Sequence, residues 1–307
     1  DRGARGRPAF TFSAAPLPSA PMTSPLEWLR DTAAVSVHMA EHRVVDRLAR
    51  GGGFARITSF LPAAVAAAAH TMLMEHEDWE NMNDGEVAHR GDSVQHSFSY
   101  AEPEDHPETL GLLADAVSLL FANLLPSFSA AKYCQGDGIS PHDDKAHVTL
   151  EPLGGEEAVL HSRKYAGVLY LSKGWKLKFG GALLDLEEGV EHVPSFNSFV
   201  VFTVPRMHAV APILAVGRPR LSLFGWWLQP GRLYELDDEA ADDEEVEYED
   251  VAEAVRRAAV AKTTSDTARQ PKSRYFRTRK GSRDHQGRIR KPKTAKTRKS
   301  LIPLRRR

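Results

Sequence analysis

The sequence contains little cysteine and no long apolar run. Cys134 is its only cysteine among 307 residues, so no disulfide can form within the chain and the fold does not depend on an oxidising compartment. No apolar stretch approaches the ~20 residues that a membrane-spanning helix needs. The alanine-rich run 63–69 is short and is followed at once by His70. We therefore expect a fold without disulfides and without a membrane span.

The two signs of charge are distributed unevenly, although the formal net charge is only −1. Residues 235–254 contain 12 acidic and no basic residues, whereas residues 255–307 contain 20 Lys and Arg against two Asp. Segments this polar cannot bury enough apolar surface to fold alone. We therefore expect an acidic linker over 234–262, which could form a helix over 245–262, and a basic disordered tail over 263–307.

Residues 1–24 form another polar segment. It combines Arg2, Arg5 and Arg7 with Ser, Ala and Pro, and Asp1 is its only acidic residue. This composition resembles that of a weak transit peptide, but it also suits a flexible leader, which is the interpretation that we favour. We accordingly expect the protein in the cytoplasm or the nucleus.

The chain before residue 128 is predicted to be mainly helical. Ser24 and Glu27 are spaced as a capping box around Pro25, which predicts a helix start, and the glycines at 51–53 would end that helix after Arg50. The remaining elements predicted in this part are a strand over 54–60, a buried helix over 62–74, a strand over 94–100 and a helix over 110–125.

The pattern changes at residue 128, after which short β-rich runs are separated by Gly, Pro and Asn. The predicted strands cover 129–133, 147–150, 165–171, 182–186, 198–204 and 220–228. Many short strands with turn residues between them favour a sandwich or a barrel. We therefore predict an α+β fold over 25–233, with a jelly-roll core supported by N-terminal helices.

A histidine and a carboxylate stand two residues apart at His142 and Asp144. The chain contains two other pairs with this spacing, His76-x-Asp78 and His106-x-Glu108. On an extended segment, residues two apart point to the same side, so His142 and Asp144 can converge on one ion while Asp143 points away. His208, just after an apolar strand, can supply a third ligand. Two His and one carboxylate form the ligand set of non-haem Fe(II) oxygenases, whereas a structural zinc site usually needs several cysteines.

Arg220 is a candidate anion-binding residue at the head of an apolar strand. A cation in such a strand is costly unless it is paired. Arg220 could form an internal salt bridge, or its planar fork could bind the far carboxylate of a dicarboxylate cosubstrate. Tyr170 could add a phenolic hydrogen bond to that carboxylate or could simply pack in the core. Arg218 is a nearby rival for the role of Arg220.

Several motifs occur together and in one order: Tyr133-x-x-Gly136-Asp137, His142-x-Asp144, Tyr170-Leu-x-x-x-Trp175, Gly180-Gly181, His208-x-Val210-x-Pro212 and Arg220-x-Ser222-x-x-Gly225-Trp226. Together they resemble the prolyl 4-hydroxylase-like family of 2-oxoglutarate- and Fe(II)-dependent dioxygenases over roughly residues 128–228. The resemblance implies a double-stranded β-helix in which His142, Asp144 and His208 hold Fe(II). It also implies that Arg220 and Tyr170 bind the C5 carboxylate of 2-oxoglutarate, with ascorbate as an optional reductant.

The resemblance further implies hydroxylation of an unactivated C–H bond, with 2-oxoglutarate decarboxylated to succinate. We expect a prolyl or other side chain of a protein or peptide as the substrate. The nucleic-acid demethylases of this superfamily typically carry a second Arg where this chain has Trp226, which argues against base repair. Trp175, Trp226 and Trp227 are interpreted as core residues.

The basic tail leaves a second class of function open. A run of Lys and Arg could bind nucleic acid or an acidic partner through phosphate-type contacts, could direct localisation, or could be a linker that folds back on the acidic run. In that alternative, the chain is a nucleic-acid- or chromatin-associated binding protein that uses the dioxygenase fold as a scaffold. The intact set of ligand residues favours the enzyme.

Overall fold

The computed structural model describes residues 24–82, 96–150 and 157–236. Helices dominate the first of these ranges, and strands dominate from residue 125 onward. The leader before residue 24, the acidic linker beyond residue 236 and the basic tail lie outside the described residues. Among the residues that the structure describes, no helix has both the length and the apolar character to cross a membrane.

The helices are α1 (Pro25–Arg30), α2 (Thr32–Glu41), α3 (Val44–Arg50), α4 (Ala63–Glu75) and α5 (Leu112–Ser118). The strands are β1 (Phe54–Thr58), β2 (Glu80–Asn81), β3 (His96–Ser97), β4 (Ser99–Ala101), β5 (Leu125–Tyr133), β6 (Gly138–His142), β7 (His147–Leu150), β8 (Val159–Tyr170), β9 (Leu183–Asp185), β10 (Val190–His192), β11 (Ser198–Thr203), β12 (His208–Val210) and β13 (Arg220–Pro230).

The predicted helix start at Ser24 is confirmed, but the single helix predicted as far as Arg50 is wrong. The capping box is formed, since the Glu27 backbone N–H donates to Ser24 Oγ and the Ser24 N–H donates to the Glu27 carboxylate. Asp31 then leaves the helical conformation, and its side chain accepts from Ala34 N at 3.0 Å to cap α2. Arg43 has a φ of 47° and separates α2 from α3. Local capping therefore divides the segment.

The helix predicted over 110–125 is shorter in the structure. Regular α-helix ends at Ser118, and the chain is already a strand at Leu125. The Trp227 indole N–H donates to the carbonyl of Ser118 at 3.0 Å, which satisfies one of the carbonyls that a helix end leaves without a partner. The C-terminal boundary is thus set by a contact 109 residues away in sequence, which helical periodicity alone cannot reveal.

Two antiparallel sheets form the core of the described part. The larger has the strand order β1-β11-β8-β13-β5-β4-β2, and β7 pairs with β8 beside it. The smaller has the order β10-β9-β12-β6-β3. The strand predicted over 94–100 is divided between them where it is described, because β3 pairs with β6 and β4 pairs with β5. This arrangement agrees with the jelly-roll prediction.

The helices cover one face of the larger sheet. Apolar residues of α2, α4 and α5 share one buried cluster with Leu221, Leu223 and Trp227 of β13. Each large apolar side chain buried there contributes about 1.5–3 kcal/mol relative to an exposed one. Because successive residues of a strand point to opposite faces, Arg220, Ser222, Phe224 and Trp226 face away from the helices and toward the smaller sheet. A cavity lies on that side.

Candidate functional site

The two predicted histidine ligands lie opposite each other on neighbouring strands of the smaller sheet. His142 ends β6, His208 begins β12, and the two residues are paired in the antiparallel register. Directly opposed side chains in such a pair share one face of the sheet, and here the imidazole ring centroids are 4.1 Å apart. Strand pairing therefore brings together two residues that are 66 positions apart in the sequence.

Asp144 reaches the histidines by a route that differs from the expected one. The segment is not uniformly extended, because Asp144 has a φ of 64° just beyond the end of β6. Its carboxylate lies 3.6 Å from His142 Nε2 and 3.5 Å from His208 Nε2. Asp143 is not part of this cluster: it contacts Lys145 and also lines the cavity. The left-handed turn thus produces the predicted convergence.

The geometry of these three side chains suits a metal ion. Their ligand atoms all lie within 4.8 Å of one another. The Nδ1 atom of His142 is 2.8 Å from the carbonyl of Ser140, and that of His208 is 2.7 Å from the carbonyl of Arg206. A backbone carbonyl holds the proton on Nδ1, which leaves the Nε2 lone pair toward the other ligands.

The site also favours the protonation states that metal binding requires. Burial, together with the neighbouring His208, lowers the pKa of His142 to about 4. Burial alone would raise the pKa of Asp144, but His208, His142 and Arg163 together hold that pKa below its ordinary value. A neutral imidazole and an ionised carboxylate near pH 7 are the forms that act as ligands.

Arg220 lies inside the protein, whereas its rival Arg218 does not. Arg220 is 1% exposed, and within the described ranges its Nε and Nη1 atoms have no hydrogen-bond partner. Arg218 is exposed, and its guanidinium donates to the carbonyl of Lys173 at 3.2 Å. No carboxylate of the described residues forms a salt bridge with Arg220. A buried cation in this state is costly unless a ligand anion completes it.

Two phenols surround the Arg220 guanidinium. The ring of Tyr133 is 4.4 Å from Arg220 Cζ, and the ring of Tyr170 is 5.1 Å away. Burial raises the pKa of Tyr133 to about 12, and burial also raises the pKa of Tyr170. Both phenols therefore stay protonated and can donate a hydrogen bond. The Tyr170 hydroxyl is buried without a partner among the described residues.

The Gly180-Gly181 motif makes room for this arginine. Gly181 has a φ of 68°, which side-chain-bearing residues rarely adopt. A Cβ atom there would lie 2.4 Å from Ile213 Cδ1 and 3.0 Å from Arg220 Cδ. A larger residue at this position would displace the arginine that faces the cavity.

Residues 128–228 match the family described as the 2OG-Fe(II) oxygenase superfamily. The chain carries a 2OG-Fe(II) oxygenase domain. Iron and 2-oxoglutarate are the metal and the cosubstrate that define this superfamily. The buried, unpartnered nitrogens of Arg220 and the His-Asp-His cluster are the donor sets that such a pair of ligands requires.

Solved structures with a similar fold include several prolyl hydroxylases. A prolyl hydroxylase from Trichoplax adhaerens, in complex with a peptide fragment of the hypoxia inducible factor oxygen degradation domain, is 18% identical with a TM-score of 0.47, covering 64% of this chain and 93% of its own. A prolyl-4-hydroxylase from Pseudomonas putida is 28% identical with a TM-score of 0.40, covering 62% of this chain and 97% of its own. No curated protein matches the sequence.

The oxygenase domain contains a cavity of about 1000 Å³ that contacts the whole ligand cluster. Its lining includes the three candidate metal ligands together with Arg220 and Tyr133. Tyr170 is not part of the lining and contacts Arg220 from β8. Tyr133 is therefore a candidate donor, a role that its motif did not predict. The register of β13 against β5 pairs it directly with Arg220.

One of the three tryptophans interpreted as core residues belongs to the cavity of the oxygenase domain. Trp175 and Trp227 are buried, as predicted. Trp226 is partly buried: it packs against a core cluster, as predicted, and it also lines the cavity. The Arg163 guanidinium lies 3.5 Å from the Trp226 ring centroid and 3.6 Å from Asp144 Oδ1. Strand alternation from Arg220 could have indicated this orientation.

Proposed function

We propose that this oxygenase domain hydroxylates an unactivated C–H bond in a side chain of a protein or peptide, with a prolyl side chain as the leading candidate. Fe(II) would be held by His142, Asp144 and His208. The C5 carboxylate of 2-oxoglutarate would be bound by Arg220 together with the phenols of Tyr133 and Tyr170. When bound, iron and 2-oxoglutarate supply oxygen activation, with 2-oxoglutarate decarboxylated to succinate.

The observation that carries this proposal is a buried cation facing the cavity that also contains the metal ligands. Arg220 and the cluster of His142, Asp144 and His208 line the same space. A dicarboxylate that contacts the metal at one end needs a fixed cation for the other end, and a guanidinium offers two parallel donors for a carboxylate. A metal site alone would not require a desolvated arginine nearby.

The chain's own contribution is to position groups and exclude water. The carbonyls of Ser140 and Arg206 orient the two imidazoles, and Arg163 supports the carboxylate of Asp144. The apolar walls formed by Phe224 and Trp226 keep the region beside the ligands poor in water. Protein substrates fit a cavity that is too large for a dicarboxylate alone and that is partly lined by apolar side chains.

The test is an assay of the full chain with Fe(II), 2-oxoglutarate and ascorbate in air. Succinate is followed by NMR, and peptide pools are examined by mass spectrometry for the gain of one oxygen atom. Pools with proline and matched pools with proline replaced by alanine are compared. We expect succinate formation that increases with a proline-containing peptide. If both pools gained oxygen equally, the hydroxylated side chain would not be proline, and another side chain would become the leading candidate.

A pair of histidine variants tests the metal assignment. His208→Ala should abolish succinate formation, because two remaining ligands hold a labile divalent ion poorly. His76→Ala is the matched control, since His76 belongs to another His-x-Asp pair and is partly buried outside the cavity lining. Succinate formed by His208→Ala at the wild-type rate would contradict the proposed iron site.

A further inference from the structure

A short segment after the last strand is tied to the core, although it lies at the edge of the acidic run. We call residues 231–235 the C-terminal strap. The Gly231 N–H donates to the carbonyl of Leu160 at 2.8 Å. The buried Ser162 hydroxyl donates to the carbonyl of Gly231 at 2.6 Å and accepts from Leu233 N at 3.1 Å. The strap is therefore fixed along β8.

Tyr234 is the residue of the strap that reaches the metal-binding loop. Its ring stacks on His147, with centroids 5.2 Å apart and planes at 16°. Its hydroxyl accepts from Ala146 N at 3.2 Å and lies 3.0 Å from the carbonyls of Ala146 and Arg163. Its O–H can donate to either carbonyl in turn. One hydroxyl thus contacts two parts of the backbone, at Ala146 and at Arg163, which are also joined by the Arg163 N–H that donates to the Ala146 carbonyl at 3.3 Å.

Both of those parts support the carboxylate of Asp144. Ala146 is two residues beyond Asp144, in the segment between β6 and β7, whose backbone is also held where the Arg206 N–H donates to the Asp143 carbonyl at 3.2 Å. Arg163 directs its guanidinium to Asp144, with Nη1 at 3.6 Å from Oδ1 and 3.4 Å from the backbone carbonyl. The left-handed φ of Asp144 requires outside contacts to hold it, because a side-chain-bearing residue adopts that conformation at a cost.

We propose that Tyr234 is a positioning residue for Asp144. Its hydroxyl fixes the loop of residues 143–147 against β8, so the carboxylate already faces the two histidines before a metal binds. Preorganisation of this kind increases affinity by removing the ordering that binding would otherwise require. The inference rests on the proposed metal site. It adds that a residue outside the family match at residues 128–228 helps to form that site.

The experiment uses the full chain with Tyr234→Phe, which keeps the ring stacked on His147 and removes only the hydroxyl. The matched control is Tyr165→Phe, on the same strand that the strap contacts. The Tyr165 ring stacks on Phe121 and does not line the cavity. Two readouts are taken: amide hydrogen exchange of residues 143–147 in the metal-free protein, and Mn(II) affinity by calorimetry without 2-oxoglutarate.

We expect Tyr234→Phe to exchange faster at 143–147 and to bind Mn(II) about 2- to 10-fold more weakly, the change that one ordinary hydrogen bond produces. Tyr165→Phe should change neither. Ser162→Ala removes the strap's anchor at Gly231 and Leu233 together with a contact to His147 Nδ1 at 2.9 Å, and should exchange at least as fast at 143–147 as Tyr234→Phe. Unchanged exchange and unchanged Mn(II) affinity in Tyr234→Phe would overturn the inference.

The two proposals fail in different ways. If the wild-type protein bound no Mn(II), the proposed metal site would fail, whereas hydrogen exchange would still report whether Tyr234 orders the loop. If the wild type bound Mn(II) and Tyr234→Phe bound it equally well with an unchanged loop, only the positioning role would fail. A uniform loss of protection across β8 and β13 in the variant would indicate general destabilisation and would also contradict a role confined to the loop.

Discussion

Replacing Arg220 with alanine should separate cosubstrate binding from metal binding. The Arg220 guanidinium is 1% exposed, two of its nitrogens have no partner among the described residues, and the phenols of Tyr133 and Tyr170 lie beside it. The candidate metal ligands do not include it. Arg220→Ala should therefore strongly weaken the binding of 2-oxoglutarate and leave the affinity for Mn(II) nearly unchanged.

The expected loss of affinity follows from the burial of the ion pair that Arg220 would form with the distal carboxylate of 2-oxoglutarate. Removing one partner of a buried charge pair typically costs ~2–5 kcal/mol. Since each 1.4 kcal/mol is a factor of ten in a dissociation constant, the 2-oxoglutarate Kd should rise about 30- to 4000-fold. The 2-oxoglutarate Kd of Arg220→Lys should lie between those of the wild type and Arg220→Ala, because an ammonium retains the charge but loses the planar fork.

The assay is calorimetric titration of the Mn(II)-loaded protein in the absence of oxygen. Two ligands are compared: 2-oxoglutarate, and pyruvate, which keeps the 2-oxo acid group but lacks the distal carboxylate. Wild-type protein should bind 2-oxoglutarate much more tightly than pyruvate, whereas Arg220→Ala should bind both with similar weak affinity. The comparison isolates the distal carboxylate from any general damage to the site.

Arg218→Ala is the matched control, because Arg218 is exposed and its guanidinium contacts the backbone of Lys173 and the ring of Phe179. It should bind 2-oxoglutarate within a few-fold of wild type. The reasoning would be refuted by an Arg220→Ala protein that still discriminates between the two ligands. A larger loss in Arg218→Ala would transfer the role to that residue.

Two further predictions concern stability. Asn197 has a buried amide that accepts from Leu61 N and donates to the Leu61 carbonyl, both at 2.8 Å. Asn197→Ala should lower the free energy of unfolding by about 2–4 kcal/mol, because two buried backbone groups lose their partners. Urea titration measures this change. Burial lowers the pKa of His42, His70 and His192 below 6.5. Near and below that pH the folded state therefore binds fewer protons than the unfolded state. The metal-free protein should consequently lose stability as the pH falls below about 6.5. His42→Gln should reduce that slope, and a stability that rises toward pH 5 would contradict the assignment.

The elements with long apolar runs were predictable from the sequence. The strands over 147–150, 198–204 and 220–228 were placed within a few residues of their observed bounds. β11 and β13 are buried over most of both faces, so their apolar residues stand out from the polar turns around them, whereas β7 is buried only at Leu150. Where a tertiary contact supports a helix end, as at Ser118, or a local cap interrupts a helix, as at Asp31, the predicted boundary was wrong.

The smaller sheet was harder to predict, although it carries both candidate histidine ligands. β6 and β12 were not predicted as strands: β6 contains Pro141, and β12 is only His208, Ala209 and Val210. A proline weakens a strand assignment, and a three-residue strand has too few positions for alternation to be recognised. The ligands themselves were found through their residue types and order, which survive even where the local secondary structure is not predicted.

The strap contact produces no pattern in the sequence. Tyr234 directly precedes the acidic run that begins at residue 235, where composition suggests that the fold has ended. Its function depends on contacts with Ala146 and Arg163, 88 and 71 residues away. Contacts of this kind leave no periodicity and no motif, because each involves one hydroxyl and two backbone groups that any residue would provide.

Strand β13 shows how stability and chemistry are divided within one segment. Leu221, Leu223 and Trp227 face the helices, whereas Arg220 and Trp226 face the cavity. Because adjacent residues point to opposite faces, a substitution at an odd position here should change the unfolding free energy, and one at an even position should change ligand binding. The strand therefore cannot shift its register by one residue without exchanging the two sets, which would expose the core face and bury the arginine among the helices.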